Sequence, residues 1–466
     1  MTEKELKRSV LTVTAFASFL TPFMGSAVNL ALPSIGEEFS LNAVMLSWII
    51  NSYMLAISML LLPAGRAGDI LGRRKVFTAG LVIFTLTMLL LAITPDIKWL
   101  IGVRILQGIG GAMMFGTSMA ILTSVFPPGE RGRAMGINVT AVYMGLASGP
   151  FLGGMFTRYL GWRSIFAFLI PLGIASLLLI RSKMKLEWAE AKGESFDWPG
   201  SVLYGLSMAA LVYGFSKLPA AAGWVLTGAG LVLMPLFVIR EKRAVHPLFD
   251  LTLISRNRVF ALSSLAALIH YAATSAVGFF LSLFLQYIKG LGAREAGFLL
   301  MSMPLTMALM SPAAGKLSDH HNPGVLASIG MAITALGLIL LCFLVEQTSV
   351  TFIAVILVVM GAGFSLFSSP NSNAIMSSVE KRQLGNASGM LGTMRNVGQT
   401  LSMAIALMLL AIYMGQEKIH PGNYPQLMRS MRTGFIVFSI LCFAGIFASL
   451  ARNQGLANNR GNRRSF

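Results

Sequence analysis

Apolar stretches of about twenty residues recur along almost the whole chain, and each is long enough to cross a hydrocarbon core about 30 Å thick. Lipid offers no partner for a backbone amide, so each stretch must satisfy its own hydrogen bonds, which an α-helix does. The spans read as 9–32, 43–64, 76–94, 99–124, 134–157, 164–181, 199–216, 221–239, 259–287, 295–315, 323–345, 350–370, 387–412 and 433–451. Fourteen crossings consume about 280 residues, which leaves only loops and tails. With 55% hydrophobic and 12% charged residues, against about a quarter charged in soluble domains, the expected class is an all-α integral membrane protein. That excludes a soluble enzyme, a secreted disulfide scaffold and a nucleic-acid-binding domain. The two cysteines, Cys342 and Cys442, lie inside apolar runs and read as packing residues. The first apolar run is too long for a signal-peptide core and reads as a retained helix.

The formal net charge of +18 is distributed by topology. With the N-terminus inside, alternate loops place 25 Lys and Arg on the cytoplasmic side and 9 on the other, with Arg104 and Arg395 inside spans. Both termini are therefore expected in the cytoplasm. An internal echo accompanies this pattern. GRAGDILGRRK at 65–75 and GKLSDHHNPG at 315–324 each carry Gly, three residues, then Asp (Asp69 and Asp319). The spans divide as six, two and six: a bundle at 1–181, a linker with two extra spans at 182–258, and a second bundle with a basic tail at 259–466. Duplicated bundles with a site at their interface are a recurring transporter plan.

Three clusters stand out. Gly65, Gly68, Asp69, Gly72, Arg73, Arg74 and Lys75 set a carboxylate and three cations on a tight turn, which suits a conformational latch or a plain positive-inside anchor. Arg104, Gln107, Gly108, Gly110 and Gly111 put a costly cation among small residues early in the fourth span. It either faces the bundle interior or snorkels to the interface. In GLASGPFLGG, Gly145, Gly149 and Gly153 recur every four residues, with Pro150 and Gly154 beside them, and give a helix face for close packing or hinging.

With these motifs in order, the chain resembles the major facilitator superfamily. GRAGDILGRRK resembles its signature loop between the second and third helices, RILQGIGGA its fourth-helix arginine motif, and GLASGPFLGG its fifth-helix antiporter motif. NLALPSIGEEF and FDWPG at 196–200 resemble the fourteen-span drug:proton antiporter branch. The resemblance implies the major facilitator fold with pseudo-twofold bundles and proton-coupled efflux of amphipathic compounds by alternating access. It also implies a monomer in the cell (inner) membrane, with envelope proteins as candidate partners. Asp69 and Arg73 would form the latch, Arg104 would lie near the proton or substrate path, and Gly145–Gly154 would be the hinge.

The chain also departs from that branch. Met24 stands where many members carry a first-helix carboxylate, and none of the 18 acidic residues lies deep in a span. His270 is the ordinary titratable group near mid-membrane, as a proton carrier or as a neutral packing histidine. Arg395, beside Asn396 and Gln399, could meet an anionic substrate group or pair with backbone carbonyls. Export of a specific lipid, metabolite or anionic compound is therefore the second reading. Candidate cavity residues are Met24, Asn29, Asn51, Tyr53, Gln107, Asn138, Tyr143 and Asn396. His320 and His321 replace the second latch's cations; adjacent residues make a poor metal site, so neither metal nor cofactor is expected. No phosphate-binding loop occurs, and no span pairs a nucleophile with a base, so an enzyme is not expected.

Overall fold

The computed structural model describes residues 3–248, 254–255, 257–379, 384–415 and 417–462, and no strand occurs among them. The helices are α1 (Glu3–Phe39), α2 (Ala43–Leu71), α3 (Arg73–Ala92), α4 (Ile97–Val125) and α5 (Pro128–Leu160). They continue as α6 (Ser164–Lys183), α7 (Trp198–Lys217), α8 (Ala221–Arg243), α9 (Arg258–Ile288) and α10 (Ala293–Ser318). The last four are α11 (Pro323–Leu341), α12 (Val350–Ser377), α13 (Leu384–Tyr413) and α14 (Tyr424–Asn462). Among the described residues, thirteen helices are long and apolar enough to cross a membrane; the remaining one is α7, a 20-residue helix.

Helix ends follow local chemistry. Side chains of Asn42, Asp96, Asp197, Asn257 and Ser349 accept hydrogen bonds from first-turn amides, so α2, α4, α7, α9 and α12 begin where a cap is available. Gly72 separates α2 from α3 at φ 117°, a conformation other residues adopt only with strain. The first and last helices run well past the apolar stretches that mark them in the sequence. Helices α6, α9 and α10 are each interrupted, at Phe168, at Ser275 and at Met301, and α9 ends in a π-helical turn over Phe284–Ile288.

Helices α1–α6 pack among themselves, α7 packs on α8 as a hairpin, and α9–α14 pack among themselves. The two groups meet where α5 touches α10 and where α2 touches α13; α7 lies against α2 and α13. Glycine permits the closest crossings. A Cβ on Gly108 would lie 2.6 Å from the Tyr53 carbonyl oxygen, and one on Gly110 2.7 Å from that of Gly80, so α4 sits tightly between α2 and α3. Large apolar side chains such as Leu178, Leu231, Leu309 and Phe447 remain exposed on the outer faces, as a hydrocarbon surround requires.

Candidate functional site: a cavity between the helix groups

A cavity of about 1260 Å³ lies between the two helix groups. It opens on the face carrying the Asp69 turn. Its deep wall is formed by Phe115 of α4, Tyr143 of α5, Tyr271 of α9, Phe367 of α12 and Arg395 of α13. Asn138, Ser118 and Ser368 add polar atoms. The Arg395 guanidinium lies 5.7 Å from the centre of the Phe115 ring, and Tyr143 Oη lies 3.1 Å from Ser368 Oγ, so both contacts cross between the groups.

Beyond this floor the groups are closed. Ser282 Oγ donates to the Asn29 carbonyl at 2.6 Å, and Asn51 Nδ2 to the Met403 carbonyl at 3.5 Å. Thr400 Oγ1 donates to the Met54 carbonyl at 3.3 Å, and Arg294 to Tyr159 Oη at 3.0 Å. The glycine face of α5 divides its work. A Cβ on Gly145 would come 2.5 Å from the Phe19 carbonyl, one on Gly149 would overlap the Ser26 hydroxyl, and one on Gly153 would lie 2.8 Å from Ala27 Cα, all on α1. Gly154 and Pro150 turn instead to α10, against Ala293 and Gly297.

At the mouth, Asp69 holds Arg73 at 2.8 Å. The same guanidinium also donates to Glu190 at 2.7 Å and to Ser124 Oγ at 2.7 Å. Gly72 leaves room for Glu187, whose carboxylate accepts from the Arg74 amide at 2.9 Å. Gly65 and Arg66 line the mouth beside them. Arg66 pairs with Glu194, which also meets His246 at 2.9 Å. The Arg66 guanidinium, seconded by His246, holds the Glu194 carboxyl below the usual carboxylate range. The segment between α6 and α7 is thus strapped across the signature turn. Sequence reasoning missed Glu187, Glu190, Glu194 and His246. The available signal was three of the chain's 18 acidic residues within eight positions, following a basic turn.

Arg104 faces the bundle interior and is fully buried. It donates to the Ile49 carbonyl at 3.1 Å and to Gln107 Oε1 at 2.7 Å, with its guanidinium 4.3 Å from the Tyr53 ring centre. This cluster lies outside the cavity lining, as do Met24, Asn29, Asn51 and Asn396 in this conformation. Asn396 instead donates to the Gly392 carbonyl, and its own carbonyl accepts from Ser58 Oγ. His270 is buried behind the wall, its ring 4.0 Å from that of Phe367, and neither ring nitrogen has a partner among the described residues. Of the expected lining residues, Asn138 and Tyr143 face the cavity. The side chain of Asp319 lies outside the described residues.

A family model for the Major Facilitator Superfamily matches residues 14–262 and again 263–464. The chain belongs to the major facilitator superfamily. It is a transporter, built as a multi-pass membrane protein. It is 29% identical over 444 residues to the riboflavin transporter RibZ of Clostridioides difficile (strain 630), covering 95% of this chain and 96% of that one. It is 32% identical over 419 residues to the cephamycin export protein CmcT of Amycolatopsis lactamdurans, covering 86% and 84%. Among solved structures, a bacterial homologue of the human lysosomal transporter Spinster, inward-facing and unoccupied, superposes with a TM-score of 0.66 at 17% identity, over 98% of this chain and 99% of that one. This last likeness concerns the fold.

Proposed function

We propose that this superfamily member is a secondary-active exporter that moves amphipathic organic compounds across the cell (inner) membrane in exchange for protons. The observation that carries the reading is the cavity itself, open on the latch face and sealed opposite by the α1–α9, α2–α13 and α5–α10 contacts. The bias of Lys and Arg puts the latch face, and both termini, in the cytoplasm, so the structure is the inward-open state. Transport requires the seal to open while the mouth closes, by rocking of bundles 1–181 and 259–466 about the glycine face; the linker segment carrying Glu187, Glu190 and Glu194 straps the mouth. A monomer contains the whole cavity. Names of relatives support export of organic compounds, with CmcT an exporter of a cephamycin and RibZ a transporter of riboflavin.

In this inward-open state the cavity carboxylates Asp69, Glu190 and Glu194 can release protons to the open mouth. His270 joins that path only when Phe367 moves. The test is uptake by proteoliposomes under an imposed pH gradient, with cationic, neutral and anionic aromatic compounds. Gradient-dependent movement of any of them supports antiport, and movement unaffected by collapsing the gradient overturns it.

A further inference from the structure

Among the described residues, seven Asp, Glu, Arg and His side chains line the cavity, and six of them are paired at its mouth. Arg66 meets Glu194, Glu194 meets His246, and Arg73 meets both Asp69 and Glu190. The seventh, Arg395, sits deep in α13, and no described carboxylate forms an ion pair with it. Its guanidinium carbon lies over the Phe115 ring, 5.7 Å from the ring centre. A guanidinium remains charged and presents donors in a planar fork that matches a carboxylate. A cation at that depth that faces an open cavity marks a place for an anionic partner. Around it, Phe115, Tyr143, Tyr271 and Phe367 supply ring faces and edges. Two buried polar atoms on the same wall, Asn138 Oδ1 and Ser118 Oγ, have no partner among the described residues.

We infer that the deep end of the cavity is an anion-binding subsite for planar aromatic compounds that carry a carboxylate or comparable acidic group, with Arg395 as the counter-charge. The aromatic wall takes the ring system by stacking. Asn138 Oδ1 accepts from a hydroxyl or amine elsewhere on the ligand. Because Arg395 and Phe115 belong to opposite helix groups, the ligand's charge sits at the seam between them. Binding there couples the anion to the rocking motion. This inference rests on the export reading of the same cavity and specifies which compounds it takes.

The test uses three fluorescent compounds of one shape: 6-hydroxy-2-naphthoate, its neutral primary amide and the cationic 6-hydroxy-2-naphthylmethylamine. Binding to the full chain in lipid nanodiscs at neutral pH is titrated by fluorescence. The carboxylate is expected to bind about ten-fold or more tightly than the amide, the range of a charge-assisted pair. Arg395→Gln is expected to bring that ratio to within about two-fold, and Arg395→Lys to leave it intermediate, since it keeps the charge and loses the fork. Size-exclusion profiles and thermal unfolding establish that both variants are folded. Equal binding of the three, preference for the amine, or a ratio that survives Arg395→Gln overturns the subsite. Gradient-driven movement of the amine without any carboxylate preference overturns the subsite and leaves export standing. Intact carboxylate preference without gradient-driven movement supports the subsite and overturns export.

Discussion

Asp69 and Arg73, one on each side of the Gly72 break, are joined at 2.8 Å, and the same guanidinium reaches Glu190 at 2.7 Å from the strap. Arg73 is therefore shared between a partner on its own turn and one on a segment more than a hundred residues away. A shared cation of this kind can hold the mouth in one state and release it in another, because losing one partner leaves the other in place.

Neutralising Asp69 removes the partner nearer the membrane. Asp69→Asn is expected to lower transport about ten-fold with insertion intact, whereas Glu190→Gln, at a well-exposed carboxylate, costs less than about two-fold because exposed pairs contribute little. Initial rates in proteoliposomes, normalised to reconstituted protein, check this. Wild-type rates for Asp69→Asn would remove the latch from the mechanism.

The α1–α5 crossing leaves no room for a side chain at Gly149, where a Cβ overlaps the Ser26 hydroxyl. Gly149→Leu is expected to destabilise the fold by about 1–3 kcal/mol, the usual cost of overpacking, and to stop turnover. Gly102→Ala, at a helix position with nothing within 4 Å, serves as the control and stays near wild type. Thermal unfolding and transport of both variants decide the matter; an active Gly149→Leu protein would rule out the close crossing.

The strap's hold on the mouth depends on pH through Glu194. Its carboxyl is held below the usual value of 4.5, chiefly by Arg66. A carboxyl with a lowered folded pKa contributes stability that is complete above its unfolded value and is lost as pH falls through the folded one. Protease cleavage within 184–197 should therefore stay constant from neutral pH down to about 4.5 and rise below it. Glu194→Gln should be cleaved readily across the whole range. A pH-independent wild-type profile would refute the assignment.

His270 has no hydrogen-bond partner among the described residues and is enclosed by Phe364, Phe367 and Tyr271. Replacing an unpaired buried polar ring by an apolar one removes a desolvation cost of about 1–3 kcal/mol, so His270→Leu is expected to unfold at or above the wild-type temperature. If the cavity carboxylates carry the coupled protons, as proposed, it should also keep pH-driven exchange. Loss of exchange in a folded His270→Leu protein would move the coupling to His270.

The membrane class and the helical spans were legible because lipid imposes a length and a composition on every crossing, whatever its neighbours. The Asp69–Arg73 turn, the Arg104–Gln107 pair and the Gly145–Gly149–Gly153 face were legible because their partners lie within one or two helical turns, so spacing alone puts them together. Helix ends were less legible: α1 and α14 extend beyond their apolar cores, because a helix can continue through polar residues that hydropathy does not count.

What the sequence determined by itself is thus a many-helix membrane transporter with a marked turn, a buried arginine and a helix built for close approach. Only the tertiary structure decided which residues share the cavity. It set Arg395 against Phe115 and Tyr143 against Ser368, put His270 behind the wall, and laid Glu187, Glu190 and Glu194 over the signature turn. Those neighbours come from helices hundreds of positions apart or from a linker with no periodicity. Their meeting depends on how the bundles rotate and pack, which no local spacing encodes.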